Sequence, residues 1–343
     1  MSIQHARQFS RREFLGGLTL AGTVGLLGLR PRAVGAEPLP ETTTLRIRHS
    51  LAGGVTSSCT APQFVAEELL QSEGFTDVQY VKTGPGTRDP LALGEADIHM
   101  TSVLPLISRI DAGNPIVLLS GVHGGCYELF GTERVRSIRD LKGKTVGVRQ
   151  LRSGHHLLLV SMLAYVGLNP QKDVTWDVHP PDESMQLLVE GKLDALMAHP
   201  PEPQELRAKQ IGHVVVNTAR DRPWLQYFCC MVAGNREFVR KHPVATKRAL
   251  RAILKATDMC TLEPERVARF MVEKGQVERY DYALETLKDV PYNQWRQYDP
   301  EDTVRFYALR LHEVGMLKTS PQKLIAQGTD WRFLKELKQE LKG

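Results

Sequence analysis

The chain has 343 residues, 42% hydrophobic and 24% charged, a length that exceeds the usual single core and predicts two domains. Of its 44 basic and 39 acidic residues, five arginines and one glutamate lie in the first 36 positions, so the remainder is close to neutral. That balance removes the support for nucleic-acid or membrane-surface binding.

Residues 1–36 read as an export signal. Ser10-Arg11-Arg12-Glu13-Phe14-Leu15 precedes a weakly apolar run from Leu18 to Leu29, and Val34-Gly35-Ala36 offers small residues for cleavage after Ala36. The paired arginines indicate the twin-arginine route, so the twin-arginine translocase is an expected partner and the periplasm the expected location. A noncleaved anchor is the alternative, but the run is shorter than the roughly 20 apolar residues that span a bilayer. No cysteine stands at the cleavage point to take a lipid.

Strands and helices then alternate. Leu45 to His49 predicts a half-buried strand, Pro62 opens a helix running to about Glu73, and Asp77 to Lys82 is a second strand. Gly94 to Met100 leads into a third strand, Leu104 to Ala112 is a helix stopped by Gly113, and Ile116 to Leu119 is a buried strand. The pattern restarts at Ser137-Ile138-Arg139-Asp140, a capping-box sequence. Strands follow at Thr145–Arg149, Val174–His179, Leu193–Ala198 and Val214–Asn217, with helices at His155–Val166, Ser184–Glu190 and Glu202–Gln210. This alternation implies crossover units and mostly parallel sheets.

Leu91-x-x-Gly94-x-x-Asp97-x-x-Met100 recurs as Leu188-x-x-Gly191-x-x-Asp194-x-x-Met197, which predicts two similar α/β lobes. After the strand-like run Tyr227 to Ala233 the chain turns helical, punctuated by Pro243, Pro264, Pro291, Pro300 and Pro321. A tail without strands is expected to pack back on the first lobe. The chain then crosses twice, near Tyr127–Gly131 and Tyr227–Ala233, forming a hinge. The expected division is 45–127 plus 228–343 for lobe one with its helical tail and 128–227 for lobe two.

Five cysteines, Cys59, Cys126, Cys229, Cys230 and Cys260, show no framework spacing and read as buried thiols; a bridge from Cys126 to Cys229 or Cys230 stays open. Adjacent Cys229 and Cys230 should alternate faces of a strand, and His155 and His156 different faces of a helix. No metal site and no cofactor are expected. Nucleophile-elbow, phosphate-loop, zinc-protease and dinucleotide motifs are absent, so no catalytic residues are assigned.

Several segments together resemble the substrate-binding proteins of ABC importers, in the NMT1/THI5-like group for nitrate, sulfonate, taurine and pyrimidine precursors. They are Gly94-Glu95-Ala96-Asp97, Asp140 through Val148, Ser153-Gly154-His155, Val166-Gly167-Leu168 and Leu188 through Asp194. The resemblance implies an α/β, two-lobed periplasmic-binding fold of type II, a monomer, a small-molecule solute and an inner-membrane ABC permease as partner. The chain departs from many members where they carry pocket aromatics: here stand Ser50-Leu51-Ala52-Gly53-Gly54 and His199-Pro200-Pro201-Glu202.

Ligands in open α/β lobes bind beyond the carboxyl ends of strands. That rule selects His49, Ser50, Gly53 and Gly54 after the first strand, Thr101 and Ser102 after the third, and His123 near the crossing. In lobe two it selects Arg152, Ser153, Gly154 and His155 at a helix start suited to anions, and His199 and Glu202 around a diproline. Loops at Thr83 to Arg88 and His179 to Asp182 are weaker candidates; each of these loops has an ordinary turn or cap as its alternative. The expected function is capture of a small anionic or zwitterionic solute. The alternatives are a pyrimidine-precursor enzyme of the same superfamily and a sensory binding module.

Overall fold

A computed structural model describes residues 37–50, 57–83 and 89–342. The export signal, Gly53, Gly54 and the 84–88 loop lie outside these. The strands, in chain order, are β1 (Thr44–Ser50), β2 (Asp77–Thr83), β3 (Ile98–Ser102), β4 (Ile116–Gly124), β5 (Glu128–Gly131), β6 (Lys144–Val148), β7 (Val174–Val178), β8 (Ala195–Ala198), β9 (His213–Asn217) and β10 (Phe228–Asn235).

They form two sheets of five, ordered β2-β1-β3-β10-β4 and β7-β6-β8-β5-β9. In the first, β1 runs parallel to β2 and β3, while β10 is antiparallel to β3 and β4. In the second, β6 runs parallel to β7 and β8, while β5 is antiparallel to β8 and β9. The two orders match position for position. In each sheet the antiparallel strand is the one that has just arrived from the other half: the chain leaves β4 for β5 and returns from β9 to β10.

The recurring motif explains part of this likeness. Gly94 and Gly191 both end their helices with positive φ, 75° and 69°, a region glycine enters freely. Three residues on, the Asp97 carboxylate accepts the Arg46 N–H at 2.7 Å, and the Asp194 carboxylate accepts the Thr145 N–H at 2.9 Å. Each aspartate thus ties the start of its strand to the sheet's central parallel strand. The echo in the sequence is a structural clamp used twice.

The two crossings press together. Tyr127 N–H donates to Thr218 Oγ1 and Thr218 N–H to the Tyr127 carbonyl, both at 3.0 Å. A Cβ on Gly125 would sit 2.1 Å from the Thr218 carbonyl carbon, so only glycine fits there. Both crossing strands are buried along their whole length, in keeping with their apolar sequences.

After β10, helices span Arg236–Lys241, Pro243–Leu262, Pro264–Glu273, Tyr280–Asp289, Pro300–Glu313, Pro321–Gly328 and Arg332–Glu340. Proline occupies the first turn in four of them, where its missing N–H costs no hydrogen bond. The tail packs on the first sheet through Pro243–Leu262, Pro321–Gly328 and Arg332–Glu340, which touch β4. It also reaches the second half, Pro300–Glu313 lying on Gly154–Tyr165 and Tyr280–Asp289 on Glu202–Ala208. One expectation changes: the helix expected from Pro62 to about Glu73 is two short helices, Ala61–Val65 and Glu67–Leu70. Among the described residues no helix is long and apolar enough to cross a membrane.

Candidate functional site

The carboxyl ends of β3, β6 and β8 line one cavity of about 320 Å³. Thr101 and Ser102 close β3. Arg149 and Gln150 follow β6, and Ser153, Gly154 and His155 begin the next helix. His199, Pro200 and Pro201 follow β8, while Tyr127 and Cys230 come from the two crossings.

The helix start is built by local chemistry. Arg152 takes a positive φ of 64°, turning the chain so that Ser153 can cap the helix Gly154–Tyr165. Ser153 Oγ donates to the Gln150 carbonyl at 2.6 Å and accepts the His156 N–H at 3.4 Å. A Cβ on Gly154 would stand 2.3 Å from Tyr127 Oη and 3.0 Å from Ser102 Oγ, so glycine lets the second half's helix approach the first half's strand end. The rings of Tyr127, His155 and His199 form a cluster, with centroids 4.8 to 5.5 Å apart.

Glu202 holds two of the cavity residues. Its carboxylate accepts from Arg149 Nε at 2.6 Å and from the His199 N–H at 3.0 Å. Burial pushes the Glu202 carboxyl above its usual range, and the Arg149 charge opposes that shift. Burial, then His199 and Arg149, holds the His155 imidazole well below its ordinary value, so it is neutral. Among the described residues neither Ser102 Oγ nor His155 Nε2 has a hydrogen-bond partner, although both atoms are buried. A wall with one guanidinium and two unspent polar atoms suits a small ligand carrying acceptor oxygens.

Next to the cavity lies a group of thiols and imidazoles. Cys59 Sγ is 3.2 Å from His199 Nε2, and Cys126 Sγ is 2.9 Å from Cys229 Sγ. All five cysteines are free and buried, so the bridge left open from Cys126 is a contact between thiols. Burial raises the Cys126 thiol well above its usual range; as a proton donor it lowers Cys59 and Cys230. The expected alternation of Cys229 and Cys230 fails. β10 slips its register against β4 on both sides of Cys230, and the two sulfurs lie 4.0 Å apart.

Of the residues selected from the sequence, Thr101, Ser102, Ser153, Gly154, His155 and His199 line the cavity. Four do not. His49 packs between Phe64 and Tyr80, His123 is buried against Tyr292, Arg152 gives only its N–H to His156 Nδ1, and Glu202 acts through Arg149 and His199. Ser50 ends β1, and Gly53 and Gly54 fall outside the described residues. His179 pairs with Asp177 and Glu183. His155 and His156 do face apart, His155 toward Tyr127 and His156 onto Trp176. Sequence reasoning missed Arg149 because β6 ends at Val148, one residue earlier than expected. It also missed Tyr127, Thr60 and Cys230, which no local pattern marks.

A model of the NMT1-like family matches residues 48–272. The nitrate/nitrite binding protein NrtA of Nostoc sp. (strain PCC 7120) is 22% identical over 252 residues, 65% of this chain and 55% of that protein. The chain therefore spans little more than half the length of that curated relative. Among solved structures, the periplasmic nitrate-binding protein NrtA from Synechocystis PCC 6803 superposes with a TM-score of 0.70 at 17% identity, covering 89% of this chain and 90% of that one. The alkanesulfonate-binding protein SsuA from Xanthomonas axonopodis pv. citri, bound to MOPS, gives 0.66 at 17% identity, covering 85% and 99%. At these identities the structural likeness establishes the periplasmic-binding fold alone.

Proposed function

The chain belongs to the NMT1-like family, and from that premise we propose that it is the extracytoplasmic solute-binding protein of an ABC importer rather than an enzyme. The observation that carries this reading is the cavity between the two sheets, with Arg149 on its wall beside Ser102 Oγ and His155 Nε2, which have no partner among the described residues. A volume of about 320 Å³ is at the small end of ligand pockets. The solute is accordingly small, and the guanidinium N–H that Glu202 does not engage suits an anionic or zwitterionic one. Arg149 binds an oxyanion, Ser102 and His155 complete its hydrogen bonds, and the start of the helix Gly154–Tyr165 adds positive potential.

Lobe one, 45–127 plus 228–343, and lobe two, 128–227, close about the paired crossings at Tyr127 and Thr218. The energy of closure comes from contacts that the solute makes with both lobes. The twin-arginine segment exports the folded chain to the periplasm, where the loaded monomer docks on its permease. The relatives named for nitrate and alkanesulfonate support this reading of the solute class.

The test is calorimetry against nitrate, short alkanesulfonates, MOPS, carboxylates, amino acids and pyrimidines. An anionic or zwitterionic ligand should bind at micromolar affinity or tighter, and Arg149→Gln should weaken it by about 100-fold, the loss expected when a charge-assisted contact of about 3 kcal/mol is removed. Binding only of neutral compounds, or an anion whose affinity ignores Arg149→Gln, would overturn the assignment.

A further inference from the structure

The thiols and imidazoles beside the cleft are brought together from distant parts of the chain: Cys59 before the first helix, His123 near the end of β4, and Cys230 in β10. Their Sγ, ring-nitrogen and Sγ atoms all lie within 4.8 Å of one another, and all three side chains are buried. Cys126 Sγ lies within the same distance of both Cys59 and Cys230.

His123 is the telling member. Its Nδ1 is 2.6 Å from the Gly124 carbonyl, which can only accept, so Nδ1 carries the proton. Its Nε2 is buried and, among the described residues, has no hydrogen-bond partner. An imidazole fixed through one nitrogen by a backbone carbonyl, with the other free and pointed at thiols, is how a metal-ligating histidine is held.

We propose that Cys59, His123 and Cys230 bind a thiophilic divalent cation of the zinc type, with Cys126 placed to supply a fourth sulfur. With the three principal ligands alone, two thiolates and a neutral imidazole cancel the charge of a divalent ion, which lowers the cost of burying it. The Cys126–Cys229 contact is a separate pair, so oxidation between those two would leave the three principal ligands intact. Binding displaces the protons of Cys59 and Cys230, so acid weakens it. Because Cys230 and His199 also line the cavity, the ion would sit at the edge of the solute site.

The full chain, reduced and stripped with chelator, is dialysed against zinc and its metal content measured. One ion per chain is expected. Cobalt in place of zinc should give a thiolate charge-transfer band in the unaltered protein, and X-ray absorption should show sulfur at about 2.3 Å and nitrogen at about 2.0–2.1 Å from zinc. Cys59→Ser and Cys230→Ser should each weaken zinc binding by at least about 100-fold, more than losing an outer-shell partner does, whereas Cys260→Ser, in the helix Pro243–Leu262, should not. The spectra need no variant, so a misfolded substitution leaves them decisive. Substoichiometric zinc, no sulfur in the metal's shell, or undiminished binding in folded Cys59→Ser and Cys230→Ser would overturn the proposal. A disulfide consuming Cys59 or Cys230 in the exported protein would do so too.

Discussion

The two halves share a skeleton and differ in what they set at its edge. Both sheets have the same strand order, and Asp97 and Asp194 clamp equivalent strands. Yet β3 ends in neutral hydroxyls, Thr101 and Ser102, whereas β6 and β8 are followed by Arg149 and His199. The thiol Cys230 comes from a strand that belongs to the first sheet but arrives from the second half. A duplicated frame thus fixes where the ligand groups stand, and the loops decide which lobe supplies charge. The second half supplies cation and imidazoles, and the first supplies hydroxyls.

The largest effect is expected under acid, to which each half contributes a buried histidine, His99 in the first and His156 in the second. In the second, burial together with Arg152 holds His156 down to about 4 from its ordinary 6.5, and its Nδ1 accepts the Arg152 N–H at 3.2 Å. The folded pKa lies below the unfolded one, so the unfolded chain takes up the proton first. The stability contributed is complete above about pH 6.5 and is lost as pH falls toward 4. The expected loss is about 3 kcal/mol, at 1.36 kcal/mol per pKa unit. Urea unfolding between pH 7 and 4 should show this slope, and His156→Gln should flatten it. An unchanged slope in the variant would assign the acid sensitivity to other groups, such as His99 in β3, which burial also depresses.

A smaller effect separates the two clamps. Asp97 is almost wholly buried at 2% side-chain exposure, and Asp194 is 13% exposed. Removing a charged acceptor from a buried backbone N–H costs about 1.5–3 kcal/mol. Asp97→Ala should fall near the top of that range and Asp194→Ala near the bottom, read from urea midpoints. Equal losses would mean that the clamp's worth is set by its backbone bond and not by its surroundings.

Much of the fold was legible because its signals are local. Glycines at 94, 113 and 167 take positive φ where helices were expected to stop, and Ser137 with Asp140 makes the expected capping box. The break at Ala66 was not legible, since nothing in Ala61–Leu70 opposes a continuous helix. At the site, the carboxyl-end rule pointed to Ser102, Ser153 and His199 because Ser102 ends β3, His199 directly follows β8, and Ser153 lies in the loop after β6. Arg149 was lost to a one-residue error in the end of β6. The sulfur group was illegible for a different reason: Cys59, His123, Cys126 and Cys230 meet only through tertiary folding, and a register slip in β10 overrides the alternation that would separate Cys229 from Cys230.

The smallest effect probes the seam itself. Gly154 belongs to the second half, and the atoms that exclude a side chain from it, Tyr127 Oη at 2.3 Å and Ser102 Oγ at 3.0 Å, lie across the cavity and at the crossing. Gly154→Ala should therefore act on closure more than on either lobe's own core. Overpacking costs of about 1–3 kcal/mol are usual, and here the strain can be relieved by opening the cleft, so a solute affinity loss near tenfold is expected with little change in melting temperature. Removing the nearer obstacle with Tyr127→Phe should restore most of the affinity in the double variant, because the clash is with the hydroxyl and not the ring. If the double variant binds no better than Gly154→Ala alone, the alanine is acting through the helix start, and the likeness between the halves ends at their sheets.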